Sequence, residues 1–163
     1  MMSEQIRYAQ DAPYWSTTVP VERSRDAITK LLDKWGCEEY GWMRRDGADT
    51  LVFTVSGQRF RVNAKLLPWK PNYKRAWNES AVAAEARMLA KAQQQAWRAL
   101  YFHLKATLEM AWWEGVESVL LRYLVLPGGQ TLGEVPLEAL THNALPKPQD
   151  DSDAVEGEVV DAG

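Results

Sequence analysis

Between Asp49 and Glu79 the chain carries no carboxylate, and that window holds Arg59, Arg61, Lys65, Lys70, Lys74 and Arg75. Trp69, Tyr73 and Trp77 recur at four-residue spacing among the last three of these bases. Cationic side chains attract a phosphate backbone, and flat aromatic faces stack on unpaired bases at about 1–3 kcal/mol each. The nine residues therefore form a candidate nucleic-acid-binding surface, which Arg44 and Arg45 would extend from a neighbouring strand. A plainer reading has Trp69 and Trp77 packed on the core and the bases merely solvated. The two aromatic sheet motifs of an RNA-recognition module are absent.

Catalytic chemistry finds little material. His103, Glu109, Glu114 and Glu117 lack the i, i+4 pairing of a helical metal site. Cys37, the single cysteine, follows a helix C-terminus, where the dipole disfavours a thiolate. Pro127-Gly128-Gly129-Gln130-Thr131 lacks the Lys-Ser/Thr ending of a phosphate-binding loop and reads as a turn. No dinucleotide fingerprint or nucleophile elbow occurs. The expectation is a binding protein without catalytic residues, metal or cofactor.

The elements that would position the basic window follow from periodicity. Ile28, Leu31, Leu32 and Trp35 fall on one face of a helix over 24–35, with Ser24 as its cap and Gly36 at its stop. Three strand-like runs come next, 38–45, 50–55 and 58–65. Arg45-Asp46-Gly47-Ala48-Asp49 and Ser56-Gly57 are the turns between them. Leu51, Phe53, Val55, Phe60, Val62 and Ala64 alternate with polar residues, the pattern of an antiparallel sheet wet on one side. Pro68 and Pro71 mark a connector over 66–77. A long helix is predicted over 79–114, with Leu89, Trp97, Leu100, Leu104, Leu108 and Ala111 at helical spacing and Gly115 as its break. Of the adjacent Trp112-Trp113, both are expected to be buried, although one would suit an oligomer interface. A shorter helix or extended run over 116–126 and a last helical turn over 135–140 complete the order. The fold class is α+β: an N-terminal helix, a three-stranded meander, a long helix on the sheet and a further short helix.

The 163 residues, 46% hydrophobic and 25% charged, suit one domain over 19–145 behind an irregular arm, 1–18. No apolar run is long enough to span a membrane, and the first residues lack a signal peptide's apolar region, so a cytoplasmic location is expected. One cysteine excludes an internal disulfide framework. The net charge of −3 is uneven. The stretch 146–163 holds six acids against one base, leaving about +2 on the rest. With no aromatic residue, that tail is expected to be disordered and to suit docking of a protein partner.

Two stretches carry a resemblance. One is Val19-Pro20-Val21-Glu22 leading to Ile28-Thr29-Lys30-Leu31-Leu32. The other is Trp97-Arg98-Ala99-Leu100, then Leu104-Lys105-Ala106-Thr107-Leu108-Glu109, then the run from Leu124 to Glu134. Together, over residues 18–135, they resemble a family of small uncharacterised proteins of bacteriophages and bacterial mobile elements. The resemblance implies a bacterial cytoplasm and supplies no catalytic residue. The ending Val155-Glu156-Gly157-Glu158-Val159-Val160-Asp161 is similar to acidic endings of phage recombination and single-strand-annealing proteins. Two readings follow: a non-catalytic phage-type protein binding single-stranded DNA, or a protein-binding module such as an enzyme inhibitor or assembly adaptor.

Overall fold

The computed structural model describes residues 5–45 and 48–143. The acidic stretch 146–163 and the Asp46-Gly47 turn lie outside the described residues. The first helix, α1 (Val21–Lys34), buries Ile28 and Leu32 as their spacing requires. It starts earlier than the expected Ser24 cap. Pro20 takes the cap position with extended backbone, and Glu22 stands in the first turn, where the helix dipole favours a carboxylate. Ser24 is instead a buried helical residue. At the other end Gly36 has φ +74°, and Cys37 N–H donates to Leu32 O while Gly36 N–H donates to Asp33 O. This pair of bonds closes the last carbonyls of the helix and needs a left-handed residue at Gly36.

The meander follows as β1 (Glu39–Arg45), β2 (Ala48–Val55) and β3 (Gln58–Ala64), antiparallel in sequence order. Ala48 and Asp49, assigned to the turn by composition, pair with Arg45 and Arg44 and lengthen β2. The rows Trp42–Leu51–Val62 and Tyr40–Phe53–Phe60 share one face. Two helices cover that face: α1 and α2 (Ala81–Glu114), the latter capped by Ser80 Oγ, which accepts from Ala83 N–H at 3.1 Å. The buried stripe of α2 runs through Met88, Ala92, Trp97, Leu100, Leu104 and Leu108. Leu89 lies one residue off that stripe and is exposed, so Met88 takes the role that spacing gave to Leu89. Among the described residues no helix is long and apolar enough to cross a membrane.

Past Gly115 the chain forms α3 (Val116–Leu120) and a 3-10 turn at Leu121–Tyr123, then returns to the sheet. Val125 N–H donates to Arg59 O at 2.9 Å, so this segment covers the open edge of β3. The chain reverses at 127–129 and closes with α4 (Leu137–Asn143). The arm is more ordered than its composition suggests. It contains a 3-10 turn, Ala9–Asp11, and the buried Gln95 amide donates to Ala9 O and Pro13 O, both at 2.8 Å.

One carboxylate joins the sheet to both helices. Asp49 of β2 accepts from Trp97 Nε1 of α2 at 3.0 Å, from Arg44 Nε of β1 at 3.0 Å and from Arg25 Nη2 of α1 at 3.4 Å. The Arg25 guanidinium also lies 4.4 Å from the Trp97 ring centroid. Burial alone would raise the Asp49 pKa. The hydrogen bonds from Arg44 and Trp97, with the charges of Arg44 and Arg25, outweigh burial and hold the group below the usual carboxylate range. A depressed folded pKa contributes stability present above the unfolded value, about 3.9, and lost as pH falls through the folded one. Asp49→Asn should therefore destabilise the fold by about 2 kcal/mol at neutral pH. In urea unfolding the gap to the native chain should narrow as pH falls below about 3.9; a gap independent of pH would contradict this role.

Candidate nucleic-acid interface

The basic window spans β3 and the connector that leads to α2, and the structure divides its residues by what they already contact. Arg61, on the outer face of β3, donates to Gly129 O at 2.6 Å and pairs with Glu134 Oε2 at 2.7 Å. Its side chain is 13% exposed. Thr131 N–H also donates to Glu134 at 2.7 Å. That bond first, and the Arg61 charge with it, hold the Glu134 carboxyl below its ordinary range. Arg61 is thus a structural cation that clamps the 125–134 segment to the sheet edge. Lys70 is engaged in the same way: Nζ pairs with Asp11 at 2.6 Å, and Gln10 Oε1 accepts from its backbone N–H at 3.0 Å. The Tyr73 hydroxyl donates to Glu85 at 2.7 Å, a bond that raises its pKa and fixes the ring beside α2.

Several side chains of the window stand outside these contacts. Lys65, Lys74, Arg75 and Trp77 are exposed, with the Trp77 side chain at 101% of its reference area. Trp69 is half-buried. Arg59 is exposed but stands at the start of β3 and Lys65 just past its end, six strand positions and about 20 Å apart. Arg44, expected to extend the surface, is bound to Asp49, and the side chain of Arg45 lies outside the described residues.

The segment that holds Trp77 is stapled. Glu79 accepts from Ala76 N–H at 3.1 Å and from Arg87 Nε at 2.8 Å, and Arg87 Nη2 also donates to Lys74 O at 2.9 Å. The Arg87 bond, then that from Ala76, lowers the Glu79 pKa. Both carboxylates of this corner, Glu79 and Glu85, are therefore already occupied by groups of the protein itself. The indole of Trp77 stands in solvent just after Lys74 and Arg75, on a backbone tethered at Lys74 and Ala76. Sequence spacing found this residue, but nothing in the sequence separated it from Tyr73.

A second exposed surface was not foreseen. Trp112 and Trp113, expected to be buried, are 74% and 78% exposed. The buried stripe of α2 ends at Ala111, and the chain leaves the helix before another element covers the next turn. Trp112 packs edge-on against Trp35, with ring centroids 5.5 Å apart. Met110 and Leu121 are exposed on the same end of the molecule and line a groove of about 610 Å3 with Leu132 and Leu140.

Burial, then Asp33 and Glu38, pushes the Cys37 thiol up to about 11, so it stays protonated at neutral pH. Among the described residues no three of His, Cys, Asp and Glu converge to hold a metal ion.

The division of cations into structural and free is testable by stability alone. Arg61→Glu should cost about 2–3 kcal/mol, because it leaves Gly129 O unpaired and sets two carboxylates together. Lys74→Glu and Arg75→Glu should stay within about 0.5 kcal/mol of the native chain. Thermal unfolding of the three variants checks this, and equal losses would contradict it.

Comparison of the chain with protein-family models, with curated proteins and with solved structures gives no match, so its function is argued from its own geometry.

Proposed function

We propose that the chain is a non-catalytic binding protein for single-stranded nucleic acid, DNA in the first place, of the kind carried by bacteriophages and working in a bacterial cytoplasm. The observation that carries the reading is the fully exposed Trp77 indole between Lys74–Arg75 and the stapled start of α2. An unpaired base stacks on the indole face while the two neighbouring cations hold the adjoining phosphates. Lys65 continues the phosphate track toward the sheet. Because the segment is fixed before binding, little ordering entropy opposes the contact. Unpaired strands fit this arrangement better than duplex, whose bases are already stacked on each other.

Anisotropy titration with a labelled oligo-dT at about 50 mM salt tests the reading. Trp77→Ala should weaken binding roughly 5- to 150-fold, the equivalent of one stacked base. The double reversal Lys74→Glu/Arg75→Glu should abolish it with an unchanged melting temperature. Native-like binding by both variants would overturn the assignment.

The exposed Trp112–Trp113 pair favours a second reading, a protein-binding module. Tryptophan is enriched at binding hot spots, and apolar surface of this kind marks association sites. On that reading the chain associates with a protein partner or a second copy, and the association withstands both salt and nuclease. Trp113→Glu should then abolish it while oligo-dT binding persists.

A further inference from the structure

A cavity of about 390 Å3 lies where β3, α2 and the 121–134 segment meet. Arg61, Asn63, Lys65, His103, Arg122 and Tyr123 are among the residues that line it. Three of these are permanent cations, and the one carboxylate on the wall, Glu134, is held by Arg61. Lys65 and Arg122 have no ion-pair partner among the described residues. The Arg122 guanidinium is steadied over the Tyr123 ring, 5.1 Å from its centroid. His103 Nε2 shares a hydrogen bond with the Tyr123 hydroxyl. Partial desolvation, then the Arg122 charge, keeps the His103 imidazole below its ordinary pKa, so it is neutral at pH 7. Thr50 Oγ1 donates to Asn63 Oδ1 at 3.0 Å, which turns the amide nitrogen of Asn63 outward as a donor.

The remaining wall is apolar, from Val62, Ala96 and Leu100. Gly133 closes the rim: a Cβ there would stand 2.9 Å from Arg122 O, so glycine lets the 3-10 turns at Leu121–Tyr123 and Leu132–Glu134 approach each other. A net positive cavity with donors at one side and an apolar wall at the other selects an anion attached to an apolar or ring-bearing body. Its volume is that of a small-molecule site and exceeds what an inorganic anion fills.

We propose that this cavity binds a phosphate monoester of nucleoside monophosphate size, with Lys65 and Arg122 on the phosphate and Asn63 donating to it. The ring body rests against Val62 and Leu100. The phosphate belongs either to a free mononucleotide or to the 5′ end of a strand. The cavity wall includes neither Trp77 nor Lys74 nor Arg75 and shares only Lys65 with the strand-binding reading, so Trp77→Ala and Arg122→Glu separate the two assignments.

Calorimetric titration of the full chain with dTMP, thymidine and inorganic phosphate tests it. The expected result is that dTMP binds at least about tenfold more tightly than either of the others. Arg122→Glu and Lys65→Glu should each weaken dTMP at least about tenfold without lowering the melting temperature, since both side chains are exposed. Trp77→Ala should leave dTMP binding unchanged. Equal affinity for dTMP and thymidine, no dTMP binding at millimolar concentration, or native dTMP affinity in both charge variants would each overturn the proposal. Competition then identifies the source. A 5′-phosphorylated oligo-dT that displaces dTMP better than its 5′-hydroxyl form assigns the cavity to strand ends, failure of both to displace it assigns it to free mononucleotides, and equal displacement by both would overturn the proposal.

Discussion

The Asp49 carboxylate is the constraint on which the arrangement of elements depends. A fully buried tryptophan needs an acceptor for its indole N–H, and Asp49 supplies one to Trp97 from the sheet. Arg25 answers the charge from α1 while lying over the same indole. Sheet and both helices therefore meet at one part-buried polar junction beside the apolar core. The junction sets the axis of α2 across the inner face of the meander. With that axis fixed, the N-terminal turns of α2 receive the connector and its C-terminal end projects Trp112 and Trp113.

Surface charge is sorted by the same kind of pairing. The basic window between Asp49 and Glu79 has no acid of its own, so its partners come from elsewhere in the chain. Asp11 arrives from the arm, Glu134 from the segment on the edge of β3, and Glu85 from α2. Each takes one polar group out of service for binding and adds a tether between distant parts of the sequence. Besides Arg59 at the start of β3, the cations left over stand at the Lys74–Trp77 corner and at the cavity wall with Lys65.

The α+β order was legible because it rests on local patterns. Alternation in β2 and β3, the i, i+3, i+4, i+7 face of α1, and the helix formers from Ala81 onward each act within a few residues. The long helix ends at Glu114 because Gly115 breaks it, as composition alone indicates. The errors have non-local causes. Ser24 looks like a cap until Pro20 is seen to start the helix earlier, and Met88 displaces Leu89 because the buried stripe is anchored by Trp97 further along. Trp112 and Trp113 are apolar enough to be core, but no element returns to cover them. At the site, the residue types and the window were legible. Which cations stayed free was not, since Asp11 and Glu134 lie 59 and 73 residues from the groups they hold. The cavity at Arg122 joins residues from three separate elements and leaves no spacing signature at all.

On the proposed function, exposed cations and an exposed indole meet a phosphate-bearing strand. The salt dependence of oligo-dT affinity tests it most directly. With Lys65, Lys74 and Arg75 as phosphate contacts, log Kobs should fall against log salt concentration with a slope of about −2, at roughly 0.7 per contact for single strands. Tryptophan fluorescence should be quenched along the same isotherm. A slope near zero, or binding without quenching, would contradict the account.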